Sequence, residues 1–165
     1  MLRDYQNALD RLTLAGWTVR LRTLKQALPS AVEIRFSWVP PDVQRFVMDL
    51  ETAVSPDEKA WLLGMPDWLG SSSAAFKPNE WELMSLEAAK GNPALTTSIQ
   101  TFWDRHLPLA HSVKNGYAYF AIRQADLSIV CGEEPEFEKP MVVASSLLEL
   151  LRSFAEHDAK LSRWV

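Results

Sequence analysis

Leu2, Tyr5, Leu9 and Leu12 fall on one side of a helical wheel, with Asp4, Gln6, Asn7, Asp10 and Arg11 on the other, until Gly16 interrupts. This spacing predicts a first helix. Trp17, Val19 and Leu21 then alternate as a strand would, whereas Leu21, Leu24, Lys25 and Leu28 recur as on a helix ended by Pro29; the helical reading is favoured. Val32, Ile34, Phe36 and Trp38 alternate with Glu33, Arg35 and Ser37 in the manner of a strand. Pro40-Pro41-Asp42 opens a helix whose apolar face is Val43, Phe46, Val47 and Leu50. Proline is harmless there because the first-turn N–H groups have no partner within the helix.

Further along, Val54 to Glu58 reads as a turn with an acidic lip, and Ala60-Trp61-Leu62-Leu63, bounded by Gly64, as a short buried strand. Ser71-Ser72-Ser73 reads as a surface loop. Asn79 is placed to cap a helix bearing Trp81, Leu83, Met84, Leu86 and Ala88, closed by Gly91-Asn92-Pro93. Ile99, Phe102 and Trp103 form one face of a short helix before Pro108. Residues 117–122 and 127–131 are the strands of a hairpin joined by Arg123 to Asp126, and Met141-Val142-Val143 is a third strand. Ser146 and Glu149 have the spacing of a capping box for a last helix with Leu147, Leu150, Leu151 and Phe154 as its stripe. Helices early and an antiparallel sheet late predict an α+β fold.

A chain of 165 residues with 47% hydrophobic and 23% charged residues can bury one core and lacks the composition of a disordered protein. No run approaches the roughly 18 apolar residues of a membrane span. The start of the chain turns polar at once, so a cytoplasmic address and no membrane partner are expected. Cys131 is the one cysteine, which excludes an internal disulfide and a cysteine zinc site. Residues 51–100 carry seven acidic and three basic side chains, and no basic stripe with interleaved aromatics occurs anywhere. A nucleic-acid groove is therefore not expected, and a basic protein partner suits the charge better.

Candidate chemistry is thin. Gly70-Ser71-Ser72-Ser73-Ala74 lacks the second glycine of a nucleophile elbow. His106 and His111, five apart with Pro108 between them, cannot share a helix face as two zinc-binding histidines do, and read as hydrogen-bonding residues of a loop. Cys131 with His111 is a conceivable nucleophile pair, although a cysteine ending an apolar strand is usually inert. Glu133, Glu134, Glu136 and Glu138 suit a solvated loop, a contact surface or, less well, a divalent-cation loop, since no Asp-x-Asp-x-Asp-Gly pattern accompanies them. Phe137 among these charges favours contact, because an exposed aromatic makes an anchor. Most of the seven tryptophans are expected in the core, and Trp68 is the best exposed candidate.

The chain resembles the SUKH superfamily, the Smi/Knr-like group of bacterial immunity proteins and fungal cell-wall regulators, over about residues 29 to 154. Trp38-Val39-Pro40-Pro41-Asp42-Val43 with Phe46-Val47 is similar to the family's Leu-Pro start of a helix. Trp81 to Glu87 is similar to its Trp and Ser-Leu-Glu segment. Leu107-Pro108-Leu109-Ala110 through Asn115-Gly116-Tyr117 resembles its Ile-Pro-Ile-Ala and Gly-Asp/Asn-Tyr approach to the central strand, and Ala144 to Leu151 its closing helix. The resemblance implies one α+β domain at 29–165 with a twisted antiparallel sheet, preceded by a helical extension at 1–28. It also implies no catalysis and no cofactor, and a gene often beside that of a toxin. The expected function is thus a non-enzymatic, protein-binding immunity protein, with a regulatory or scaffold adaptor as the alternative and a small-molecule binder or enzyme ranked last. The expected contact residues are Trp68, Tyr117, Tyr119, Glu133, Glu134, Glu136, Phe137 and Glu138.

Overall fold

Seven strands follow one another across a single antiparallel sheet in chain order. They are β1 (Thr18–Leu21), β2 (Leu50–Val54), β3 (Ala60–Leu62), β4 (His106–Ser112), β5 (Ala118–Arg123), β6 (Ile129–Glu133) and β7 (Met141–Ala144). The helices are α1 (Arg3–Leu14), α2 (Ser30–Arg35), α3 (Pro41–Asp49), α4 (Met65–Trp68), α5 (Glu80–Ala88), α6 (Pro93–Trp103) and α7 (Leu147–Ala155). The fold is α+β. This computed structural model describes residues 3–24, 26–72 and 74–165, so Leu2, Lys25 and Ser73, on which expectations above fall, lie outside the described residues.

The expected helix over 17–28 is a strand where it is regular. Gly16 adopts φ +92°, and the N–H groups of Gly16 and Trp17 donate to the Thr13 and Leu12 carbonyls, the paired bonds that close a helix on a left-handed residue. The chain then leaves α1 extended, and Thr18 to Leu21 finds its hydrogen bonds on β2, with Thr18 opposite Val54 and Arg20 opposite Thr52. The alternation of Trp17, Val19 and Leu21 was the truer signal. Conversely, the alternation from Val32 to Trp38 is the short helix α2, with Ile34 76% exposed and Phe36 buried beyond its end. Arg35 holds that helix down by a paired contact with Glu82 at 2.7 and 2.9 Å and a third bond to Asp104 at 2.8 Å. Leu50, expected on the apolar face of the Pro-Pro helix, and Val54, expected in the turn, are instead the first and last residues of β2, which follows α3 directly.

The largest departure is β4. His106 to Ser112, read as a loop, is buried throughout and sits between β3 and β5 at the middle of the sheet. Proline has no ladder N–H, which argues against a central strand, but the register shifts between Pro108 and Ala110, and such irregularities are where a sheet accommodates proline.

Because side chains alternate across a sheet, the pairing Ala110–Phe120–Cys131 marks one face and His111–Tyr119–Gly132 the other. The first face meets α1, α3 and α7 in the larger core, where Tyr5, Leu9, Leu12, Phe46, Phe120, Leu150 and Phe154 are buried and Trp17 stacks on Phe154 at 5.5 Å. Tyr5, Ala8, Leu9, Leu12 and Trp17 of the expected N-terminal extension therefore belong to the same core as the strands. Leu161 and Trp164 close its far end. The second face carries a smaller core of Trp81, Ala89, Ile99, Trp103, Tyr119, Ala121, Val130 and Phe137 beneath α5 and α6. On α5 the packing side is Trp81, with Leu83 and Met84 exposed, so its expected apolar stripe is not the buried one. Among the described residues no helix is long and apolar enough to cross a membrane.

Candidate functional site

The second sheet face is covered over only half its width. Above β4 to β6 lie α5, α6 and the 133–140 segment; above β1 to β3 lies a groove of about 940 Å³. Its floor is Thr18, Arg20, Thr52 and Val54, brought to one side by the β1–β2 register, and Val54 opposes Trp61 on β3. Trp61 and Phe76 stack at 6.1 Å and 13° to form an aromatic wall where the covered half begins. Pro66, Asp67, Ser72, Ala74 and Ala75 line the groove from above, and Glu51 and Glu58 add carboxylates.

Asp67 is fixed locally. It accepts from the Gly64 N–H at 2.8 Å, tying the start of α4, and its burial raises the carboxyl above the usual range. Glu58 sits in the β2–β3 turn at φ +58°, a left-handed conformation uncommon for a side chain of this kind. Ser55 and Asp57 hydrogen-bond within that turn at 2.7 Å, and Lys114 lies 3.6 Å from Asp57. No histidine lines the groove among the described residues, and the carboxylate in hydrogen-bond contact with Ser72 is that of Asp67.

Behind the wall the rings continue inward. Phe76 meets Trp81 at 5.1 Å, Trp81 stacks on Tyr117 at 4.8 Å and on Phe137 at 5.7 Å, and His111 lies between Trp61 at 5.6 Å and Trp81 at 5.1 Å. His111 is wholly buried, and desolvation pushes its pKa down to about 3, so the imidazole is neutral near pH 7. The Pro78 carbonyl is near enough to favour its protonation slightly, yet neither ring nitrogen makes a hydrogen bond of ordinary geometry. The indole N–H groups of Trp61 and Trp81 are likewise buried without an acceptor. A neutral imidazole sealed among rings can brace packing but cannot reach a substrate in the groove.

The Cys131–His111 pair is ruled out by sheet geometry. Cys131 pairs with Phe120 and faces the larger core, whereas His111 pairs with Tyr119 and faces the smaller one. Burial also raises the Cys131 thiol well above its usual range, which suppresses the nucleophilic thiolate. Among the described residues no three His, Cys, Asp or Glu side chains gather as a metal site would require.

The expected contact residues divide sharply. Phe137 is only 4% exposed and Tyr119 is fully buried, its hydroxyl donating to the Phe137 carbonyl at 2.7 Å. Neither is a surface anchor, because each serves the smaller core. Tyr119 lies where a Cβ on Gly132 would stand, 2.4 Å from the ring, so that glycine admits the close approach. Tyr117 is partly buried against Trp81, and Trp68 is partly buried beside Phe36 at 6.1 Å.

The four glutamates are engaged in holding their own segment. Glu133 accepts from the Trp164 indole at 3.0 Å and meets Arg163 at 3.0 Å, and Glu138 accepts from the Trp103 indole at 2.9 Å. Glu134 accepts from the Tyr117 N–H at 3.2 Å, and Glu136 pairs with Lys139. The residues that sequence reasoning missed are Thr18 and Arg20, hidden by the helical reading of 17–28, and Thr52 and Val54, which no strand pattern marked. The polar partners of the Trp17, Val19, Leu21 alternation were the signal that could have found the first two.

Comparison with protein-family models, with curated proteins and with solved structures returned no match.

Proposed function

We propose that this chain is a non-enzymatic protein-binding domain, and more specifically an immunity protein that neutralises a toxin domain. The open half of the second sheet face carries the binding part of this reading. It is a wide groove on a rigid three-stranded floor, with hydroxyls, an arginine and carboxylates set beside a tryptophan wall. Polar groups for orientation around an aromatic anchor are the composition of a recognition surface. The conceivable nucleophile, Cys131, lies on the opposite face from the nearest buried imidazole, His111, which weighs against a hydrolytic reading. The toxin-neutralising form rests on the SUKH resemblance and on the acidic balance, which suits a basic partner.

The test is co-expression with the product of the adjacent open reading frame, followed by co-purification and a toxicity assay. A stable complex together with protection of the host is the expected result. A neighbouring toxin that neither binds nor is neutralised would remove the immunity reading.

A further inference from the structure

The groove above β1 to β3 has a shape and a charge that select its occupant. Three strands at about 4.8 Å spacing make a floor about 10 Å across, the width of an extended polypeptide with its side chains. Its volume of about 940 Å³ is at the upper end of the range for small-molecule sites. Thr18 and Thr52 place hydroxyls on the floor, able to donate to or accept from a peptide backbone.

The charges lining the groove are three carboxylates, Glu51, Glu58 and Asp67, against one guanidinium, Arg20. Glu51 also faces Arg22 at 3.7 Å on its outer side, which weakens its share. Glu58 has no basic side chain in ion-pair contact among the described residues. Beside these carboxylates stands the stacked Trp61–Phe76 pair, and tryptophan is the aromatic that holds a cation best. Acidic charge and a tryptophan wall in one groove complement a basic side chain carried on an extended chain.

We propose that this groove receives an extended segment of the protein partner and seats a lysine or arginine of that segment against the Trp61–Phe76 wall. The inference rests on the protein-binding reading above and assigns its surface, moving it from the 133–138 segment to Glu51, Glu58, Asp67 and Trp61. The partner lies on the sheet face.

The test is an amide and indole NMR titration of the full chain with the acetylated, amidated heptapeptide Thr-Lys-Thr-Lys-Thr-Lys-Thr, using its glutamate and norleucine counterparts as controls. The Trp61 indole and the amides of 18–20 and 52–54 should shift saturably, with the lysine peptide binding at least about tenfold tighter than either control. The double variant E51Q/E58Q should weaken it by about tenfold, and added salt should do the same. Equal response to all three peptides, shifts centred on 133–138, or no response would overturn the proposal. So would concentration-dependent shifts of the groove in the protein alone, which would make a second copy the occupant. Once a protein partner is in hand, unchanged affinity of W61F and E58Q for it would remove the groove assignment while leaving the protein-binding reading intact. Failure of any protein to bind, with the peptide result as expected, would do the reverse.

Discussion

Two acidic clusters sit at opposite ends of the second sheet face and behave differently. From Glu133 to Glu138 each carboxylate is engaged, by the indoles of Trp164 and Trp103, by the Tyr117 N–H, or by Lys139. Around the β1–β3 groove, Asp67 is held at the start of α4 but Glu58 projects from a turn without an ion-pair partner among the described residues. The lesson is that a run of glutamates announces charge and not availability. What decides is whether the fold brings donors to them: those of Glu133, Glu134 and Glu138 come from the C-terminal turn, the residue before β5 and α6, all remote in sequence, and only Glu136 finds its partner, Lys139, close by.

The first way to break this contrast is to remove Phe137. If the 133–140 segment is a plug over the smaller core, Phe137→Ala should cost about 3 kcal/mol or more, the range for a buried aromatic truncated to alanine. Urea unfolding measures it. A loss under about 1 kcal/mol would restore Phe137 to the surface and unite the two clusters as exposed acidic patches.

The covered half can be sharpened through His111. Its folded pKa of about 3 lies below the ordinary 6.5, so as pH falls through 6.5 the unfolded chain takes up a proton that the native chain refuses. Stability is therefore intact above about pH 6.5 and declines steadily toward pH 3. By pH 4.5 the decline attributable to this residue should reach about 2 to 3 kcal/mol. His111→Phe should lack that component of the slope, while at pH 7 it should be neutral or stabilising, since it replaces a buried, poorly partnered polar group by an apolar ring. Denaturant midpoints of both proteins at pH 7 and pH 4.5 test this. Identical slopes would mean that His111 reaches water, and hence that the covered half is not sealed.

How much of this was legible beforehand depends on whether an element's determinants are local. The first helix, the Pro-Pro helix, the 117–131 hairpin and the Ser146-capped helix carry their own periodicity and caps, and all are present, the hairpin as 118–123 and 129–133. The strand β4 was not legible because Pro108 and two histidines mask a segment whose burial is imposed by β3 and β5 on either side. The strand β1 was ambiguous in the same way, since only pairing with β2, some 30 residues on, selects strand over helix. The groove inherits the second of these errors. It is built from β1 and from β2, whose residues 51–53 were assigned to no element, so only the 17–21 alternation pointed to Thr18 and Arg20, and nothing local pointed to Thr52.

The smallest expected effect is the most discriminating, because its sign differs for stability and for binding. Glu58 holds φ +58°, where a non-glycine side chain crowds its own backbone and where asparagine is better tolerated. Its neighbours in the turn already have partners, with Ser55 bonded to Asp57 and Asp57 near Lys114, so the Glu58 carboxylate supports no contact that the turn needs. Glu58→Asn should accordingly leave the fold unharmed or raise its stability by about 0.5 kcal/mol, read from the shift of the urea midpoint. The same variant removes a charge from the groove and should weaken the lysine peptide several-fold, read from the Trp61 indole titration. A residue that costs stability where it stands and contributes to binding there has the profile of a recognition residue. If Glu58→Asn instead destabilises the fold and leaves binding untouched, this carboxylate belongs with those of 133–138, and the difference between the two acidic clusters disappears.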